Sequence, residues 1–214
     1  MSHQLEPEYA KAKRRLPLRT PYRRYDVLAK WDTPSWDEPT RQVVAHRLHH
    51  APERRFFTER EWAVLDAAQA RLVPQPDREE PVLITPWIDE RLHRGQGDGY
   101  RFETMPPMEE AWRIGLAALD AEAKAMHGRG FPELEAHDQD DVLERIQQGE
   151  VETDAWGAMP PARFFSHELM SGVINVYYAH PDAWSEIGFG GPASPRGYVR
   201  LDKRDPWEAK ADWD

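Results

Sequence analysis

Five stretches of this chain repeat apolar residues at intervals of three and four, the spacing of one helix face, and none alternates over the length a strand needs. The first opens on Thr58-x-x-Glu61, a capping box in which each side chain satisfies the other residue's backbone N–H. Trp62, Leu65, Ala68 and Leu72 line its face, and Pro74 and Pro76 end it. The second takes Thr85 as N-cap with Pro86 in its first turn, runs through Trp87, Ile88 and Leu92, and stops at Gly95, where a flexible Gly-Gln-Gly-Asp-Gly loop begins. The third, residues 107–127, is the longest; Met108, Ala111, Trp112, Gly115, Leu116, Leu119, Ala123 and Met126 form its stripe, and Gly128 and Gly130 close it. The fourth takes Asp138 as cap, Val142, Leu143 and Ile146 as face and Gly149 as stop. The fifth carries Phe164, Phe165, Leu169, Val173, Val176 and Tyr177 until His180-Pro181 breaks it, since proline cannot continue the hydrogen-bond ladder. Residues 198–201 suit a short edge pairing.

Five such faces bury against one another, so the expected fold class is mostly α: a small helical bundle with an extended N-terminal arm and a Gly/Pro-rich C-terminal hook. The arm, residues 1–57, holds Pro7, Pro17, Pro21, Pro34, Pro39 and Pro52, too frequent for long helices, although residues 40–49 or 40–50 suit a short one. It also holds Tyr22, Tyr25, Trp31 and Trp36, aromatics that disordered tails lack. Either it wraps a partner with these rings as anchors, or it folds back over its own acidic body. In the hook, Trp184, Ile187, Phe189 and Tyr198 sit among Gly188, Gly190, Gly191, Gly197 and two prolines. Large apolar side chains on so loose a backbone need a surface to bury against. The expected division is an arm over 1–57, a helical domain over 58–201 and a charged tail over 202–214.

The 214 residues fit one domain with an arm, and 40% hydrophobic residues with nine Trp supply a core. Charge is uneven: residues 1–57 hold 12 Lys+Arg against 7 Asp+Glu, and residues 58–214 hold 16 against 31. So acidic a body repels phosphate and makes a poor nucleic-acid binder. No apolar run is long enough to span a membrane. With no cysteine, disulfides, thiolate zinc sites and iron–sulfur clusters are excluded. The basic KAKRRLPLR near the start lacks the apolar core and cleavage site of an export signal, so a cytoplasmic location is expected, or a periplasmic one through a signal on a partner.

No stretch announces chemistry. GFGGP at 188–192 follows a helix and precedes prolines, whereas phosphate cradles follow a strand and open a helix. His46, His49 and His50 share one helix face, the spacing of a metal site, and support an alternative reading as a self-sufficient metal-dependent enzyme. His167 and Glu168 are adjacent, so on a helix they point apart and suit a capping or partner contact better than a catalytic pair. Gly-x-Ser-x-Gly, His-Glu-x-x-His and Walker patterns are absent. No catalytic or metal-binding residue is assigned.

Four segments in this order, FFTEREWAVLDAAQARLVPQPD, GLAALDAEAKAMHGRGFPEL, DQDDVLERIQQGEV and YYAHPDAWSEIGFGGPASPRGYV, resemble the gluconate 2-dehydrogenase subunit 3 family over residues 56–201. That resemblance implies a small, non-catalytic subunit that binds no cofactor itself. Its partner would be a large FAD-containing sugar or polyol dehydrogenase of the glucose–methanol–choline type, with a cytochrome c subunit as a possible third member. The role implied is to support folding, FAD retention or docking of the electron acceptor. Trp31, Trp36, Trp184, Phe189, Arg196 and Tyr198, the rings and cation of arm and hook, are the expected partner contacts.

Overall fold

The computed structural model describes residues 20–22, 25–76, 78–97 and 99–192. The fold is mostly α, and no strand occurs among the described residues. The edge pairing expected at 198–201 and the charged tail lie outside them. The chain divides into two units: a helical unit of residues 51–76 and 83–177, and a terminal unit that joins residues up to 50 with 77–82 and 178 onward. This differs from the expected division at 57/58 and 201/202, because the aromatic arm packs with the hook instead of standing apart from it.

The first of the five expected helices is the second helix of the chain. Numbered from the N-terminus, α1 is Glu38–His49 and α2 is Glu59–Leu72. Both halves of the α2 capping box are made: the Glu61 N–H donates to Thr58 Oγ1 at 3.2 Å and the Thr58 N–H to Glu61 Oε2 at 2.8 Å. Helix α3, Thr85–His93, departs from expectation at its start. Thr85 is fully buried and donates its hydroxyl to Asp66 Oδ1 at 3.1 Å, so Ile84 takes the cap position without a side-chain bond.

Helix α4, Met108–His127, is the central element, packed by α2 and α5 and by the last helix of the unit. Helix α5, Ala136–Gln148, begins before the expected Asp138 cap, with Glu135 as N-cap. Asp138 instead lies in the first turn, where a carboxylate suits the positive end of the helix. The last helix opens as α6, Pro161–Arg163, widens into a π-helix over Phe164–Met170, and continues as α7, Ser171–Ala179. At its end the Ser171 N–H turns to the Glu168 carbonyl, while the Ser171 hydroxyl donates to the Ser166 carbonyl at 2.9 Å.

The core of this unit is threaded by rings: Phe57 meets Trp112 edge-on at 6.1 Å, and Phe164 meets Trp112 and Trp156, each at 5.8 Å. Three buried carboxylates fasten its loops. Asp89 accepts the backbone N–H groups of Arg55, Phe56 and Phe57 at 2.7–3.1 Å, fixing the approach to α2. Asp120 takes Arg60 as a two-pronged partner and Lys124 at 2.7 Å, and accepts the Phe131 N–H at 2.9 Å. Glu122 accepts the N–H groups of Glu152 and Thr153 and the indole N–H of Trp156.

The terminal unit is built from a 3-10 turn at Val27–Lys30, α1, and α8 at Pro181–Ile187. Helix α8 stands at the start of the expected Gly/Pro-rich hook. It is short, yet it has His180 as N-cap, Pro181 at its first position and Gly188 in the left-handed conformation as its stop.

Candidate functional site

The arm and hook meet in the terminal unit. Val27, Leu28, Trp36, Val44 and Trp184 form its core, with Tyr25, Trp31 and Leu48 packed against it. Backbone and side chains then lace the two ends of the chain together. The Val27 N–H donates to Ser185 Oγ at 3.1 Å, Lys30 Nζ to the Gly190 carbonyl at 3.1 Å, and Tyr25 Oη to the Phe189 carbonyl at 3.2 Å. Thr20 Oγ1 donates to the Glu186 carbonyl, and Arg47 to the Ala179 carbonyl at 3.0 Å. Arg47 also lies over the Trp184 ring, and the loss of water around it lowers its pKa from the usual guanidinium value. Arg78, on the 77–82 strap, pairs with Glu186 and Asp182 on α8.

This geometry separates the six expected contact residues. Trp36 and Trp184 are 2% and 3% exposed, so their rings are spent on the unit's own core and present no surface. The reason is the fold-back: each end of the chain supplies the apolar surface the other needs. Trp31 is half-buried and meets Trp36 edge-on at 6.0 Å. Phe189, resting on Trp184 at 5.7 Å, keeps 41% of its surface exposed, and Ile187 keeps 47%. Arg196 and Tyr198 lie outside the described residues. Ile187 and Tyr178, neither among the six expected contacts, are exposed as well, Tyr178 to 44%.

The helical unit carries a second feature. A cleft of about 390 Å³ opens between the glycine loop after α3, the segment leading into α4, and the π-helix. Tyr100, Phe102, Met108, Glu109, His167 and Glu168 are among its walls. The ring of Phe102 lies tilted against His167, centroids 4.4 Å apart, and carries the Arg163 guanidinium at 4.3 Å. His167 and Glu168, expected to point apart, both reach this cleft.

The histidine cluster stays on α1, where the rings of His46 and His50 stack at 4.5 Å. Among the described residues no group of three or more His, Asp or Glu side chains is placed to hold a metal ion. One Glu-x-x-His step, Glu90 to His93 on α3, has the spacing of a di-iron ligand pair. Its Glu90 is committed to Arg94, at 2.5 Å, and to Arg55, at 3.9 Å. No helix among the described residues is long and apolar enough to cross a membrane.

A family model described as gluconate 2-dehydrogenase subunit 3 matches residues 59–191. The chain belongs to the gluconate 2-dehydrogenase subunit 3 family. The match begins at the first residue of α2 and ends at the hook's Gly191, so it takes in the whole cleft together with Trp184 and Phe189. Trp31 and Trp36 precede it, and Arg196 and Tyr198 follow it. Comparison with curated proteins gives no match, and neither does comparison with solved structures. The family takes its name from a subunit of a dehydrogenase.

Proposed function

We propose that this chain is a non-catalytic small subunit that binds and stabilises a large FAD-dependent sugar or polyol dehydrogenase of the glucose–methanol–choline type. The observation that carries this reading is the family match over residues 59–191. Two features support it. The buried carboxylates Asp89, Asp120 and Glu122 are occupied by loop backbone and neighbouring side chains, which makes them scaffold groups. The hook, in turn, presents to solvent Ile187, the last residue of α8, and Phe189, just past its glycine stop, while Ala183 and Trp184 of the same helix are buried. On this reading the flavin and the substrate pocket belong to the large subunit. The small subunit holds that partner's fold and FAD in place, or shapes the docking surface of an electron acceptor such as a cytochrome c. Location follows the partner: cytoplasmic, or periplasmic where the partner carries an export signal.

The deciding experiment is size-exclusion chromatography with visible absorbance, on this chain alone and co-expressed with a neighbouring flavoprotein gene. A larger yellow species that contains both chains and oxidises sugars with an artificial acceptor supports the subunit reading. A colourless monomer that leaves the flavoprotein's FAD content and stability unchanged overturns it.

A further inference from the structure

The cleft of the helical unit has a chemistry that the subunit reading does not by itself supply, and its interpretation rests on that reading. Tyr100, 70% exposed, stands edge-on to Phe102 at 6.0 Å and offers the cleft an open aromatic ring. Glu109, in the first turn of α4, lines the same cleft and is partly buried. Its Oε1 lies 3.7 Å from where a side chain on Gly95 would begin, an ordinary contact distance that places the carboxylate beside the glycine loop. Among the described residues no cation pairs with Glu109 and none lies over Tyr100; Arg101 lines the cleft without joining either.

The same unit contains a filled version of this arrangement. Arg113 lies 4.2 Å over the Phe56 ring and pairs with Glu61 at 3.0 Å, a guanidinium held between an aromatic face and a carboxylate. Arg163 on Phe102 repeats the aromatic half. Tyr100 and Glu109 present the two halves with the cation missing. The surrounding charge points the same way: the helical unit holds 22 Asp+Glu against 12 Lys+Arg, while the terminal unit is balanced at 16 and 16, so the chain's whole net charge of −10 resides on the unit with the cleft. A field of that sign steers basic groups toward it.

We infer that this cleft receives an arginine side chain of the dehydrogenase partner, with the guanidinium stacked on Tyr100 and paired with Glu109. The test titrates the purified flavoprotein against full-length wild type, Tyr100→Ala, Glu109→Gln and a distant charge reversal, Glu150→Lys, with far-UV helicity confirming the fold of each. Tyr100 is exposed enough that truncating it leaves the core untouched. The expected result is that Tyr100→Ala and Glu109→Gln each weaken binding about tenfold or more. Glu150→Lys should stay within about twofold, as rim charges do. Binding unchanged by the two cleft variants, with wild type still forming the complex, overturns the arginine site alone. Equal weakening by Glu150→Lys also overturns it, by assigning the effect to the general field. Failure of wild type itself to bind the flavoprotein removes the subunit reading and this site with it.

Discussion

Gly115 on α4 leaves open the space that the ring of Phe164 fills: a Cβ built on Gly115 would fall inside that ring's contact distance. The glycine is therefore a packing device in the middle of a helix, where it costs about 1 kcal/mol relative to alanine in propensity alone. Gly115→Ala should destabilise the protein by about 1–3 kcal/mol despite that propensity gain, because the π-helix must shift to admit the methyl group. Thermal unfolding followed by circular dichroism measures this. The double variant Gly115→Ala, Phe164→Leu should recover part of the loss, since the two residues are in contact and their effects do not add. An unchanged or raised midpoint for Gly115→Ala alone would contradict the packing.

Glu122 sets an acid limit on stability. Burial pushes its carboxyl up, but the hydrogen bonds from the Thr153 hydroxyl, the Glu152 and Thr153 N–H groups and Trp156 outweigh that effect and hold it below the usual value of 4.5. A group depressed in the folded state contributes stability above its unfolded pKa and loses it as pH falls through the folded one. The melting temperature should therefore drop as pH is lowered below 4.5, with Asp120, held down by Arg60, Lys124 and Phe131 against its own burial, adding to the fall. In Glu122→Gln the protein should start less stable at neutral pH and show a shallower acid limb. Acid limbs of equal slope in the two proteins would remove Glu122 from this role.

The carboxylate of Asp89 gathers three successive backbone N–H groups just ahead of α2. Asp89→Ala leaves those donors without an acceptor in a buried turn, at a cost of about 3 kcal/mol or more. Hydrogen exchange localises the effect: the amides of Arg55, Phe56 and Phe57 should lose protection well before those of α4. Protection at the three amides equal to wild type would show that the turn holds itself.

The hook separates stability from assembly. Trp184→Ala and Trp36→Ala should each destabilise the terminal unit by about 3–5 kcal/mol, as large buried aromatics do. Phe189→Ala, at a ring already 41% exposed, should change the melting temperature little while weakening co-elution with the flavoprotein. Loss of stability in Phe189→Ala comparable to that of Trp184→Ala would place Phe189 in the core.

Local rules made the helical unit legible. The capping box at Thr58 and Glu61, the glycine stops at 128 and 149 and the apolar faces of α4 and α5 depend only on near neighbours, and they stand as read. Thr85 was misplaced by one position because Asp66, nineteen residues away, competes for its hydroxyl. Helix α8 had its proline start and glycine stop in plain view, but its seven residues run straight into the Gly/Pro-rich hook and read as part of that loose backbone. Asp89 and Glu122 were hidden for another reason: an acidic residue on a helix looks solvated until the loop it caps is known. The partnership of arm and hook was least legible of all. Periodicity identifies a face to bury, and says nothing of which remote segment will cover it.

That partnership orders the making of the protein. Val27 and Ser185 are hydrogen-bonded across 158 residues of chain, and Thr20 and Glu186 across 166. During synthesis the N-terminal aromatics leave the ribosome long before α8 exists, and they must wait with their rings uncovered while residues 51–177 fold behind them. A chain clipped or stalled within α8 loses the lid of its own N-terminal cluster, so Trp36 would be uncovered by damage at the far end of the sequence. The terminal unit thus acts as a seal that closes only on a chain translated through its hook.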